Sequence, residues 1–241
     1  MIWGTKSEQS LEFRTDLHSH LIPGVDDGVD SADETFNILR ALQKLGIGRA
    51  ITTPHIYEEI YPNTEAGLEE SYHDVISRMP ADVDVELILA AEYFVDEFFY
   101  EKIRSGNRLL TLPGNFVLIE TSFFAKPVVL EQVLFKLRSE GYNPILAHPE
   151  RYQYIAEDPG LAVRYIDLGA SLQVNAGSIA GHYGPPVKRL AFELIKKGLI
   201  SFVGSDIHKM SHVKNLEIAR NSKIFRKGPV DKIKNDQLAV Q

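Results

Sequence analysis

The chain has 241 residues, 44% of them hydrophobic in the broad sense, enough to bury a full core as one large domain or two small ones. Its 33 acidic residues outnumber 26 basic ones for a formal charge of -7, which repels nucleic acid and anionic membrane and argues against either as a partner. There is no cysteine, so disulfides, thiolate metal sites and every mechanism built on a cysteine nucleophile are excluded.

Residues 1–10 are polar after Met1-Ile2-Trp3 and lack the apolar core of a signal peptide, and no later stretch approaches ~20 uninterrupted apolar residues. A soluble, cytoplasmic chain with no membrane insertion is therefore expected. Short runs rich in Val, Ile and Leu then alternate with segments of helical period, as when parallel strands are buried on both faces and covered by helices. The runs predict seven strands, over Glu12–Leu17, Arg49–Thr53, Val85–Ala91, Phe116–Glu120, Asn143–Ala147, Ser171–Asn175 and Ile200–Gly204. After the first strand, Pro23-Gly24-Val25-Asp26-Asp27-Gly28 reads as a tight loop, and residues 31–45 as a helix. In that helix Phe36, Ile38, Leu39, Leu42 and Leu45 form one apolar stripe, Ser31 with Glu34 reads as a capping box, and Gly46 supplies the stop. No linker interrupts the rhythm and no period repeats, so a single α/β domain of the barrel type is expected over 1–224. Residues 225–241, charged and containing Gly228-Pro229, are expected as a surface tail or a loosely packed helix.

Six of the predicted strands run straight into a histidine or a carboxylate, in TDLHSH, TTPH, LAAE, LIE, LAHPER and GSDIH. In a barrel of parallel strands all C-terminal ends open on one face, so residues distant in sequence converge there. His18, His20, His55, Glu92, Glu120, His148, Asp206 and His208 would then surround one pocket. His18-Ser19-His20 sets two imidazoles on one side of an extended segment, and Asp206-Ile207-His208 repeats that spacing. Glu92 and Glu120 each close an apolar run, where a carboxylate is costly to bury unless it meets cations or strong donors. One of Asp26 and Asp27 is expected to face the cluster, the other to face solvent or to cap the following helix. Arg151, three residues after His148, suits bidentate binding of a phosphate and of the charge that builds in its transition state. With nitrogen and oxygen donors only, manganese, iron or zinc is expected. Tyr57, Tyr61, Phe123 and Phe124 are candidates for an aromatic rim, His212 can line it, and His73 and His182 read as ordinary.

These segments resemble the polymerase and histidinol phosphatase (PHP) superfamily, and within it the bacterial capsule-type metal-dependent tyrosine-protein phosphatases. The likeness runs from about Thr15 to Ala219 through DLHSHLIPGVDDG, TTPHIY, AAEY, LIETS, LAHPERY, QVNAGSIAGHYG and VGSDIH. It implies a distorted TIM-like (β/α)7 barrel with three divalent ions, manganese or iron foremost and zinc permitted. The implied ligand sets are His18, His20, Glu92 and Asp206; Glu92, Glu120 and His148; and Asp27, His55 and His208. By its separation from His20, the position that the resemblance implies as ligand falls on Asp27, with Asp26 one residue away as the alternative. The resemblance implies hydrolysis of phosphotyrosine by a metal-bridging hydroxide, with Arg151 on the phosphate, and an autophosphorylating bacterial tyrosine kinase of capsule or exopolysaccharide production as the phosphoprotein partner. Many relatives carry an arginine soon after the final Asp-x-His, where this chain has Lys209-Met210-Ser211-His212-Val213-Lys214, so Lys209, His212 or Lys214 is the candidate substitute. A small-molecule phosphomonoesterase acting on histidinol phosphate or a sugar phosphate is the alternative.

Overall fold

The computed structural model describes residues 13–227 and 230–238, so Glu12, Gly228 and Pro229 lie outside the described residues. Nine strands occur in this range: β1 (Thr15–Asp16), β2 (Arg49–Thr52), β3 (His55–Ile56), β4 (Glu86–Leu89), β5 (Glu92–Phe94), β6 (Phe116–Glu120), β7 (Asn143–Ala147), β8 (Ser171–Asn175) and β9 (Phe202–Gly204). All pair in parallel, in the orders β1-β2-β4 and β3-β5-β6-β7-β8-β9. Each of the seven expected runs contains a strand, and two short strands that were not expected, β3 and β5, follow the second and the third. Pro54, which has no N–H for a ladder, separates β2 from β3, and Ala90-Ala91 separates β4 from β5. Bonds from Ala90 N to Thr52 O (2.9 Å) and from Glu92 N to Pro54 O (3.1 Å) carry the pairing across both cuts. The ring closes where a parallel bridge joins Ser19 to Ile207, flanked by Asp206 N to His18 O and His20 N to Ile207 O, both 2.8 Å. The result is a single-domain, distorted seven-stranded α/β barrel.

Helices fill the intervals and bury their apolar stripes against the outside of the ring. The helix Ala32–Lys44 is representative: Ser31 Oγ accepts from Glu34 N, the buried face is Phe36, Ile38, Leu39 and Leu42, and Gly46 turns away at φ 80°. Inside the ring a second, smaller core gathers Leu17, Ile51, Ala90, Leu118, Ile145 and Phe202. Alternation of side chains along each strand accounts for the two cores: Leu118 and Ile145 face inward, while Ile119 and Leu146 pack against the helices. Each such buried side chain contributes roughly 1.5–3 kcal/mol by transfer from water.

The expectation of a surface tail after residue 224 is corrected for its described part. Phe225 and Leu238 are buried, Leu238 within the inner core. Asn235 donates to Val203 O (2.7 Å) and Thr15 O (2.9 Å) and accepts from Val203 N (3.0 Å), while Asp236 accepts from Arg14 N (2.8 Å) and Thr15 N (2.9 Å). The segment satisfies the free backbone groups where β1 and β9 begin, a job done by single side chains that leaves no periodic trace in sequence.

Candidate metal centre

The inward row of each strand, followed one step past the apolar core, arrives at the polar cluster. Ile88 and Ala90 lead in steps of two to Glu92, Leu118 leads to Glu120, and Phe202 and Gly204 lead to Asp206. His148 follows the inward-facing Ala147 by one residue and would point outward, but its backbone is left-handed (φ 34°, ψ 52°), which re-aims the ring. Asp206 is also left-handed, at φ 54°. Non-glycine residues are held there only when their surroundings over-determine them, and such strain concentrates at functional sites.

The structure brings all nine expected ligand residues together at the C-terminal mouth of the ring, in groups whose donor atoms lie within 4.8 Å of one another. His18 Nε2 stands 3.2 Å from His20 Nε2, 3.1 Å from Glu92 Oε2 and 3.4 Å from Asp206 Oδ1. Glu92 spans the cluster: Oε2 faces His18, His20 and His55 at 3.1, 3.4 and 3.4 Å, and Oε1 faces His148 Nε2 at 3.1 Å. Glu120 lies 3.1 Å from His55 Nδ1 and 3.9 Å from His148 Nε2. Asp27 Oδ1 is 3.5 Å from both His55 Nε2 and His208 Nε2. Asp206 divides its oxygens, Oδ1 to the imidazoles and Oδ2 to Arg151 Nη1 (3.1 Å) and Asn175 Nδ2 (2.5 Å).

An outer layer fixes the ring orientations. His18 Nδ1 donates to Gln173 Oε1 (2.8 Å), whose amide donates in turn to Asn175 Oδ1 (2.7 Å). His208 Nδ1 donates to Asp206 O (3.0 Å). Each of these bonds commits Nδ1 and leaves Nε2 for the cluster, the arrangement that orients metal-ligating histidines. Asp26 does the same for His20: its Oδ2 accepts from Nδ1 at 2.8 Å and from His55 N at 3.0 Å, and its Oδ1 accepts from Gly28 N at 2.9 Å. The expectation that this acid faces solvent or caps a helix is therefore corrected, because the cap is Ser31 and Asp26 has no exposed side-chain surface.

The charge balance calls for cations. Burial alone would lower the imidazole pKa values, yet the charge of Asp26 holds His20 up at about 10, and Glu92 and Asp206 hold His18 above its usual value. Burial likewise opposes ionisation of Glu92 and Asp206, but the surrounding histidines hold both well below the usual carboxylate range. Hydrogen bonds from His208 and His55 depress Asp27 in the same way. A pocket that draws protons onto histidine while keeping its carboxylates ionised is one in which divalent ions can take the protons' place, and the all-nitrogen-and-oxygen donor set suits manganese, iron or zinc.

An open cavity of about 590 Å³ lies over this cluster. Arg151, Lys209 and His212 line it, whereas Lys214 sits in a separate hollow beside Lys188 and Glu217, which removes it as a phosphate contact. Of the four rim aromatics, Tyr57 stacks on Phe94 (3.9 Å), Tyr61 on His55 (5.3 Å), and Phe123 lies against the Arg151 guanidinium (4.4 Å). Phe124 is 80% exposed. Sequence reasoning passed over His182, which lines the cavity 5.3 Å from His212, and assigned no role to Tyr183, Gln173 or Asn175. A signal for the last two was present: polar residues in phase with the inward row of an apolar strand are out of place unless they serve a site. His73 lies on an exposed helix face, as expected.

Comparison with known proteins gives a consistent result. Residues 14–233 match the family model described as capsular polysaccharide synthesis, CpsB/CapC. The chain is 31% identical over 196 residues to the tyrosine-protein phosphatase YwqE of Bacillus subtilis, covering 81% of this chain and 77% of that protein. It is 26% identical to the putative tyrosine-protein phosphatase CapC of Staphylococcus aureus, covering 93% and 90%. A crystal structure from work on YwqE and CpsB of Streptococcus pneumoniae, described as unique metal-dependent tyrosine phosphatases, superposes with a TM-score of 0.78 at 29% identity, covering 87% of this chain and 89% of that one. An organophosphorus hydrolase from Deinococcus radiodurans shares the fold alone, at a TM-score of 0.52 and 12% identity over 92% and 89% of the two chains. Among the described residues no helix is long and apolar enough to cross a membrane.

Proposed function

The chain belongs to the CpsB/CapC family of capsular polysaccharide synthesis proteins, and from that premise we propose that it is a metal-dependent protein-tyrosine phosphatase with an autophosphorylating bacterial tyrosine kinase of capsule or exopolysaccharide production as its substrate. The observation that carries this reading is the two-sided placement of Glu92, one oxygen toward His18, His20 and His55 and the other toward His148. A carboxylate can bridge two ions where an imidazole cannot. On this reading one ion would be held by His18, His20, Glu92 and Asp206, a second by Glu92, Glu120 and His148, and a third by Asp27, His55 and His208. Manganese or iron is the cellular metal, with zinc also accommodated.

Such ions supply acidified water and positive charge for the phosphoryl group. The chain's own residues do the rest. Arg151, tethered to Asp206 through Nη1, offers its remaining N–H donors to the phosphoryl oxygens, and Lys209 and His212 line the same cavity. The exposed Phe124 ring meets the substrate's aromatic group at the mouth. Tyrosine leaves as a phenolate of modest basicity, so little protonation is demanded of the site.

The test is a metal analysis of the purified protein with hydrolysis of a phosphotyrosine peptide and of histidinol phosphate measured side by side, for wild type and a His18→Ala/His20→Ala double variant. Metal and phosphotyrosine activity should both be lost in the variant. Unchanged turnover would overturn the mechanism, and a wild type that prefers histidinol phosphate would overturn the substrate.

A further inference from the structure

Arg151 is held against two aromatic rings. Its guanidinium carbon lies 4.4 Å from the centre of the Phe123 ring and 4.3 Å from that of Tyr183, and one of its nitrogens is spent on Asp206 Oδ2. A guanidinium has five donors in one plane, and with Nη1 on Asp206 and two rings packed against it the group is fixed while its other N–H donors remain for a ligand. The two rings come from different loops. Phe123 follows β6, and its carbonyl accepts from Gln153 N (2.8 Å), which ties it to the segment carrying Arg151. Tyr183 sits in the turn Gly181–Gly184, bounded by glycines at φ 97° and φ 89°, conformations other residues adopt at a cost.

That turn is built on Gly177. The N–H groups of Gly181 (2.9 Å) and His182 (2.8 Å) both donate to Gly177 O. A Cβ added to Gly177 would stand 3.0 Å from Tyr183 Cε2 and 3.4 Å from its Cζ, so an alanine there would press the ring aside by a few tenths of an ångström. Tyr183 OH is 3.4 Å from Asp206 Oδ2, a long contact beside the full ring face laid on Arg151.

We infer that Phe123 and Tyr183 are positioning residues that hold the Arg151 guanidinium in place for the phosphoryl group, with Gly177 setting the place of Tyr183. This rests on the reading of Arg151 as the phosphate-binding cation. A loose arginine still carries its charge but must be ordered each time a ligand binds, so loss of a ring face weakens phosphate binding, in the ground state and transition state alike.

The experiment uses the metal-loaded full chain and two readouts, inorganic phosphate binding by calorimetry and steady-state kinetics on a phosphotyrosine peptide. Tyr183→Leu should raise the phosphate Kd and the peptide KM together by roughly 3- to 30-fold, the range of one cation–π face, with kcat changed much less and metal content intact. Tyr183→Phe, which keeps the ring, should stay within about threefold of wild type on the same scale. Gly177→Ala should shift both constants in the direction of Tyr183→Leu, and serves as the second probe should the leucine variant fold poorly. The decisive arm is a double-mutant cycle: in an Arg151→Ala background, Tyr183→Leu should have no further effect on phosphate Kd. Additive losses would overturn the inference, as would a Tyr183→Phe variant as weak as Tyr183→Leu, which would assign the effect to the hydroxyl. If wild type binds phosphate with this coupling yet spares phosphotyrosine, the functional reading fails and the inference stands. If it hydrolyses phosphotyrosine without the coupling, the reverse holds.

Discussion

Replacing Asp26 by alanine separates the roles of two adjacent acids. The carboxylate of Asp26 accepts from His20 Nδ1, His55 N and Gly28 N at 2.8, 3.0 and 2.9 Å, and its side chain is fully buried. Its removal frees the His20 ring to choose the wrong tautomer and strips two backbone N–H groups of their partner. Loss of a carboxylate that orients a ligating histidine costs about 10- to 100-fold in metal affinity, and each orphaned N–H about 1 kcal/mol of stability. Asp27→Ala instead deletes a carboxylate 3.5 Å from both His55 and His208, so the number of ions bound falls by one. Chelator-competition titration with elemental analysis distinguishes a weakened site from a missing one. Asp26→Ala should keep the full complement at high manganese and recover phosphotyrosine turnover there, and Asp27→Ala should not. Unaltered metal affinity in Asp26→Ala would refute the orientation argument, and an ion lost from Asp26→Ala while Asp27→Ala keeps its full complement would exchange the two roles.

Leu238→Ala, which opens the inner core from the far end, should cost about 2–4 kcal/mol in denaturant melts, against almost nothing for a loose tail. Gly204→Ala would set a Cβ 2.7 Å from His18 Cβ and 2.8 Å from Gln173 Nε2, so beyond a strain of about 1–3 kcal/mol it should lower metal affinity, which Leu238→Ala should leave in place. Removal of ions by chelator should lower the melting temperature, and stepwise manganese should restore it in a concentration-dependent way, since ligands that bind only the folded state stabilise it by mass action. On the surface, the Arg164 guanidinium holds Glu131 at about 2, below its ordinary 4.5. A depressed carboxylate pKa stabilises the fold above the unfolded value, and that share is lost as pH falls toward about 2, so the small melting-temperature gap between wild type and Arg164→Ala should be present at pH 7 and fade below about pH 4.5.

The seven-strand rhythm, the stripe and cap of the helix after Ser31, and the run of strand ends into His or Glu were all legible, because each expresses a local rule: period two, period 3.6, or the cost of an acid closing an apolar run. The short strands β3 and β5 were harder to see, since Pro54 and Glu92 read as the ends of the runs before them and only the partners change across the cut. Gln173 and Asn175 were visible as misplaced polar residues, yet their partners, His18 and Asp206, lie far away along the chain.

Residue order by itself indicated which side chains gather at the mouth of the ring, because a buried parallel strand writes its inward row into every second position and its end into the first polar residue that breaks it. What tertiary structure alone decided was direction and company: that Asp26 turns to His20 and Asp27 to the cavity, that His148 reaches the cluster through a left-handed backbone, that Asn235 and Leu238 close the barrel from below, and that Arg151 lies against Phe123 and Tyr183. Those outcomes depend on which atoms meet across the ring, and closure of the ring is a property of all the strands together.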